Sequence, residues 1–472
     1  MSATPPPVVP NGMAAAPASV SPLERRVRSV IVVGAGLAGA QTVGALRAQG
    51  FDGHLTLVGA EGRAPYDRPP LSKHLLDRPG PAWLADELGV DVCELADDVR
   101  LGTPATGLEV RPFDVIVATA EGELRADAVV IASGSSAVSP PGWVGGLVLH
   151  TADDAEALRE RLRPGSRLVV IGAGWIGAEV AGVAAAAGVE VTVVEAAAAP
   201  LAGALGSAVG ELTVPWYAAT GVRLLTGVAV AEVRPDSVRL TNGRQYPADV
   251  VLVAVGSRPA SGWLGTALPH DPDGSLRVDA GYGVIGVPGH VRAVGDAARR
   301  WSPRHGWVPG GHWDGALRGP ATAVRALLAR SVVPPRSEVG DDGTPADPAP
   351  YVFSTQLGHD LALCGQHRAG DDVVLRGDPT ATGGWTALWF TRTRASGSSS
   401  SETSEPAASD PAQVRAHAGS DPSLGRELTA VLAIDRPHDV GAARRLFAGR
   451  ALPRLDPDLA ADPTRPLRAA QV

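Results

Sequence analysis

The sequence predicts an α/β chain organised around two dinucleotide-binding units, with a strand-rich region after them. Three observations carry this. Residues 30–50 read VIVVGAGLAGAQTVGALRAQG: an apolar strand-like run, a G-x-G-x-x-G turn and a stretch of helical spacing. Residues 168–188 read LVVIGAGWIGAEVAGVAAAAG, a second complete copy. Two further apolar runs, AVVIASG at 128–134 and VVLVAVG at 250–256, end in small residues that permit a ligand to approach the chain closely.

In the first unit, Gly34 allows a tight turn and Gly36 lets the backbone approach a pyrophosphate. Gly39 lets helix and strand pack closely, and the helix N-terminus beginning around Leu37 and Ala38 favours negative charge. A second strand is expected at 54–58. Glu61 follows it as a candidate for ribose hydroxyls, although Gly59 and Ala60 occupy the strand end itself. Next comes Pro65-Tyr66-Asp67-Arg68-Pro69-Pro70-Leu71-Ser72-Lys73, where adjacent prolines stiffen the approach to the lysine. Lys73 is the single lysine among 42 basic residues. A compact ammonium in an arginine-based chain points to a position where a planar fork does not serve; chance survival on a rigid surface turn is the plain alternative.

Residues 100–127 alternate short apolar runs with Gly and Pro, as antiparallel strands do. Thr151 is placed to cap a helix with Asp153 and Asp154 in its first turn. The second fingerprint follows: Gly172, Gly174 and Gly177, with Trp175 and Ile176 inside the turn. Its next strand ends in Glu195, 23 residues beyond Gly172, an offset suited to ribose binding. AAAAPLAGALG comes after it with no Arg or Lys for a 2′-phosphate, so the second nucleotide reads as NAD rather than NADP. Strands with a turn at Asn242-Gly243 lead to the 250–256 run and Gly256. A short strand near 290–294 delivers Gly295 and Asp296, an acid able to bond a polyhydroxyl chain or to cap a helix. A helix starts near Gly311–Asp314, with Ala321, Val324, Leu327 and Leu328 as its apolar stripe. Residues 331–350 read as a linker. Strands at 352–356, 361–365, 373–375, 387–390 and 429–434 follow, interrupted by a Ser- and Asp-rich mobile insertion at 393–426.

The net charge is −8, with no large basic block, which argues against nucleic acid. No apolar run approaches the ~20 residues of a membrane helix. The first 27 residues are Pro- and Ala-rich and read as a disordered tail. Two cysteines, Cys93 and Cys364, are too few for a disulfide framework, an iron–sulfur cluster or a zinc site. A reduced, cytoplasmic setting and no metal are expected.

The chain resembles the FAD-dependent pyridine nucleotide reductases that serve oxygenases, of the putidaredoxin-reductase and biphenyl-dioxygenase-reductase type. The resemblance rests on Gly34–Gly39, PYDRPPLSK at 65–73, Gly172–Glu179, the Gly256–Pro259 turn, Gly295-Asp296, His312-Trp313-Asp314 and PYVFSTQLG at 350–358. It implies two Rossmann-like dinucleotide-binding domains, for FAD and NAD, plus a C-terminal α+β domain. The FAD domain would comprise 28–142 and 256–330, the NAD domain 143–255 and the third domain 351–467. Lys73 matches the lysine near the flavin, and Glu179 the glutamate facing it. Asp296 matches the ribitol ligand and Trp313 the residue at the flavin's pyrimidine end. Ala38 and Ala105 match backbone contacts, and Arg68, Gly134 and Gly256 lie in cofactor-binding segments. The implied activity is hydride transfer from NADH to FAD, then single electrons to a small iron–sulfur ferredoxin, by a monomer or weak dimer. An NADH oxidase or quinone-type flavoprotein and a slow NAD sensor are the alternatives. The chain departs from the pattern at Ala60, at His150, at Val308–Gly311 and at Phe353, where the family has an acid, an arginine, Arg-Leu-Glu and a tryptophan.

Overall fold

The structure is a computed structural model that describes residues 26–329, 347–392 and 425–472. Most of the expected tail, linker and insertion therefore lies outside the described residues.

The first unit is built as its hydrophobic pattern requires. Strand β1 (Ser29–Val33) runs into helix α1 (Leu37–Ala48) and then β2 (His54–Val58). A short helix α2 (Pro70–Lys73) opens on proline, which supplies the fixed φ of a first turn. Strand β3 (Asp98–Arg100) is followed by an antiparallel meander that begins with β4 (Ala105–Val110) and runs to Ala126. Strand β5 (Ala128–Ile131) is buried throughout. The chain then leaves through β6 (Ser135–Ala137) and enters helix α3 (Ala152–Arg161), whose Thr151 and Asp154 form a reciprocal capping box.

The second unit repeats the plan with β7 (Arg167–Ile171), α4 (Trp175–Ala186), β8 (Glu190–Val194), β9 (Arg223–Leu225) and β10 (Val250–Val253). The chain returns through β11 (Ser257–Pro259), which pairs antiparallel with β6. Strand β12 (Val291–Ala293) completes the first sheet, and helix α5 (Trp313–Leu328) packs beside α1. The first sheet has the all-parallel order β12-β5-β1-β2-β3, and the second the parallel order β9-β8-β7-β10. Strands buried on both faces explain why they read as continuous apolar runs.

The expected apolar stripe of α5 shifts in detail. Ala323, Val324 and Leu327 are buried, whereas Ala321 is only partly covered, and Pro320 is accommodated inside the helix.

The C-terminal region forms an antiparallel sheet from β13 (Tyr351–Gln356), β14 (His359–Gly365), β15 (Asp372–Arg376), β16 (Trp385–Phe390) and β17 (Arg426–Ile434), ordered β13-β14-β17-β16-β15. Strand β17 begins three residues before its expected start, because Arg426 is tied by Asp372 and the Thr391 carbonyl. Helix α6 (Pro437–Leu446) covers one face. The other face shares a core with the second unit: Trp385, Trp389 and Leu432 cluster with Leu168, Val180 and Ala184. Gly182 of α4 makes this approach possible. A Cβ there would lie 2.9 Å from the Leu357 nitrogen.

Arg376 locks the third sheet to its helices. It is 2% exposed and donates from Nε to Asp439 Oδ2 at 3.0 Å, from Nη1 to the Ala460 carbonyl at 3.1 Å and from Nη2 to the Arg465 carbonyl at 2.5 Å. Burial opposes the charge on Asp439, but bonds from Arg376, Thr386 and Arg436 hold its carboxyl below the usual range. A depressed carboxylate adds stability above its unfolded pKa of ~4, and that stability is lost as pH falls through the folded value. Arg376→Leu takes one of three partners from Asp439 and leaves the Ala460, Asp462 and Arg465 carbonyls without their donor. It is expected to cost about 3–5 kcal/mol in denaturant unfolding and to flatten the acid limb of the stability profile.

Candidate dinucleotide and redox site

Both fingerprint turns obey one steric rule. A Cβ on Gly34 would lie 2.1 Å from the Ala132 oxygen, and on Gly172, 2.4 Å from the Ala254 oxygen. A Cβ on Gly39 or Gly177 would lie 1.7 Å or 2.1 Å from the carbonyl oxygen of Gly34 or Gly172. The middle glycines differ: a Cβ on Gly36 or Gly174 meets nothing within 4 Å. The space over each middle glycine is left for something other than protein. Helices α1 and α4 begin at these residues with no side-chain cap, in contrast to the fully capped α3. Uncapped N–H groups and the helix dipole make each turn an anion seat.

One cavity of about 1070 Å³ joins the two turns. It is at the upper limit of small-molecule clefts, which run to roughly 1,000 Å³. The candidate cofactor-binding and catalytic residues all line it except Gly39 and Gly177, which abut the backbone of the turns. Two uncapped helix starts opening on one such cavity fit a pair of dinucleotides, one at each turn.

At the junction of the two units, Lys73 Nζ donates to Glu179 Oε1 at 2.7 Å. The glutamate is 3% exposed. It also accepts from the Ser72 hydroxyl on Oε2 and from the Ser354 hydroxyl on Oε1. Gln356 Nε2 donates to Ser354 Oγ at 3.0 Å. The carboxylate thus draws together α2, α4 and β13, one segment from each part of the chain. Its hydrogen bonds offset the cost of removing it from water.

Around the pair stands an aromatic wall. Lys73 Nζ lies 5.2 Å from the Phe353 ring centroid, and Trp313 meets Phe353 edge-on at 5.9 Å. Trp313 Nε1 donates to Asp67 Oδ1 at 2.7 Å. Burial raises the Asp67 pKa, with the indole N–H acting against it. Burial, and then the Arg68 charge, lower that of His150.

Asp296 does not cap the short 3-10 turn at Gly295–Ala297. Its Oδ2 accepts from Ser135 Oγ at 2.9 Å, and its Oδ1 from the Gly311 N–H at 3.0 Å. Glu195 accepts from the Ala173 N–H at 2.7 Å and the Ala197 N–H at 2.8 Å, which fixes the carboxylate at the mouth of the second turn. Glu61 lines the cavity, but both its oxygens already accept bonds within the chain, one from Tyr66 and one from Arg68 at 2.5 Å. Sequence reading singled out neither Ser354 and Gln356 nor Asp67 in this role. Ser354 reaches Glu179 across 175 residues, and no local pattern announces such a contact. The two cysteines stand apart, Cys93 exposed and Cys364 buried.

Comparison with known proteins agrees with this architecture. The family described as pyridine nucleotide-disulphide oxidoreductase matches residues 28–326. Among curated relatives, the chain is 32% identical over 448 residues to the anthranilate 1,2-dioxygenase system ferredoxin–NAD(+) reductase component of Burkholderia cepacia, covering 92% of this chain and 97% of that one. It is 30% identical over 454 residues to the benzene 1,2-dioxygenase system ferredoxin–NAD(+) reductase subunit of Pseudomonas putida, covering 93% and 96%. Among solved structures, the reductase of a covalent putidaredoxin reductase–putidaredoxin complex superimposes with a TM-score of 0.76 at 25% identity, covering 94% of this chain and 99% of that chain. Paired glycine turns, parallel sheets and near full-length similarity lead to one assignment: the chain belongs to the pyridine nucleotide-disulphide oxidoreductase family.

Proposed function

We propose that the chain is an FAD-dependent NADH:ferredoxin reductase that supplies an oxygenase. The observation that carries this reading is the single cavity joining two uncapped glycine turns, with the Lys73–Glu179 pair at their junction. FAD, once bound at the first turn, supplies the step from hydride acceptance to release of single electrons. The relatives' ferredoxin partners and dioxygenase systems support a small iron–sulfur ferredoxin as acceptor here.

Residues 28–142 and 256–330 serve as the FAD domain, 143–255 as the NAD domain and 351–467 as the third domain. Gly34, Gly36, Leu37, Ala38 and Gly39 form the pyrophosphate seat of the flavin nucleotide. Gly172, Gly174, Trp175, Ile176 and Gly177 form that of NADH. Glu195 takes the adenosine ribose of NADH, and its charge repels a 2′-phosphate; Ala196–Ala199 supply no cation to offset that repulsion. Asp296 orients the ribitol chain, while Arg68, Ala105, Gly134 and Gly256 line the rest of the flavin seat. Trp313, held by Asp67, and Phe353 exclude water where the two nucleotides meet. Lys73 holds a positive charge beside the place where negative charge arrives, and Glu179 fixes its direction. The protein works in the cytoplasm as a monomer or weak dimer. Among the described residues, no helix is long and apolar enough to cross a membrane.

Purified protein is expected to be yellow and to bleach on adding NADH. Ferredoxin reduction is expected to outpace oxygen uptake; the reverse order identifies an NADH oxidase, and slow turnover with every one-electron acceptor identifies a sensor. Glu195→Ala is expected to raise KM for NADH about tenfold with little change in kcat, and an unchanged KM removes the ribose assignment. Lys73→Met is expected to slow flavin reduction in stopped flow by about 10²-fold. Wild-type kinetics in that variant reduce the lysine to a structural role.

A further inference from the structure

Three side-chain polar atoms in the cavity-lining residues are buried without a hydrogen-bond partner among the described residues: Ser133 Oγ, His312 Nδ1 and Trp263 Nε1. Buried polar atoms in native structures are almost always paired, so each such atom calls for a partner beyond the described residues. Trp263 is the most restrictive of the three. A hydroxyl can rotate and an imidazole can change tautomer, but an indole N–H only donates.

The position of Trp263 says which part of a ligand it faces. It lies in the 3-10 turn Gly262–Leu264, which follows β11 and packs against β4. Its ring sits with Ala105 and Leu108 against the core of the first unit. Pro104 and Ala105 also line the cavity, and the Gly102 and Thr103 N–H groups donate to the Glu61 and Gly59 carbonyls, which puts this stretch beside the end of β2. A dinucleotide whose pyrophosphate rests on α1 sends its adenosine half toward the end of β2. The ordinary anchor at that point is a carboxylate on the ribose. Here Ala60 stands at the strand end, and both oxygens of Glu61 are engaged by Tyr66 and Arg68.

We propose that Trp263 is a cofactor-binding residue of the first unit. Its indole N–H donates to an acceptor on the adenosine half of FAD, a ring nitrogen or a ribose oxygen, and its ring covers that half. An indole donor thereby adds an anchor where Ala60 leaves the strand end without a carboxylate. This assignment rests on the FAD reading given above and adds to it a residue outside both fingerprints.

The test uses full-length protein loaded with FAD. A dilution series, read by the fluorescence of released FAD, gives the dissociation constant, and NADH binding is measured in the same preparation. Trp263→Phe keeps an aromatic ring but removes the indole N–H, which has no partner among the described residues, together with three ring atoms of contact. It is expected to raise the FAD dissociation constant about tenfold and to leave NADH affinity within twofold of wild type. Coincident FAD release curves overturn the assignment while leaving the FAD reading intact. An equal loss of NADH affinity shows a general loosening of the cavity and also overturns it. A wild-type chain that holds no FAD removes the assignment together with the reading beneath it.

Discussion

The buried carboxylate of Glu179 is the point on which the three parts of the molecule converge. It is reached by Lys73 and Ser72 from the first unit, carried on a helix of the second and bonded by Ser354 of the third. A carboxylate this deep is tolerated only when its oxygens are filled, and its partners come from two distant stretches of chain, α2 and β13. The relative placement of the sheets is therefore constrained by the same contact that sets the charge at the centre of the cavity. Close packing of α4 on Leu357, which Gly182 permits, holds that arrangement from behind.

The paired turns show how little side chain a nucleotide seat requires. In each, the outer glycines are forced by neighbouring backbone atoms and the middle one by emptiness. The first kind of constraint is structural and would exist without a ligand. The second matters because this open space lies at an uncapped helix start facing the cavity, as it does at both turns.

Much of this was legible in the sequence because the constraints are local. The fingerprints announce themselves where only glycine fits, and Glu195 is found by its distance from Gly172 along one strand–helix–strand unit. Thr151 and Asp154 form the capping box that their spacing suggests. What escaped local reading is what depends on distant chain. Asp67 acquires its role only because Trp313 arrives beside it, and Ser354 only because β13 packs against α4. Glu61 lines the cavity as its sequence position suggests, but its bonds from Tyr66 and Arg68 are again invisible to position alone. Val324, Leu327 and Leu328 of the expected α5 stripe meet the core, and Ala323 takes the place of Ala321 because helical spacing alone does not say which neighbour the helix will face.

Strands β6 and β11 lie side by side, so the chain departs for the second unit and comes back from it at a single doorstep. An inserted module with adjoining ends can lengthen, shorten or be exchanged without stretching the host sheet. The acid and the small residues after β8, proposed above to set nucleotide preference, sit on this inserted unit. Its α4 side is anchored to Lys73 and to the third sheet, so the end of β8 is where the module has latitude to vary while its other contacts hold.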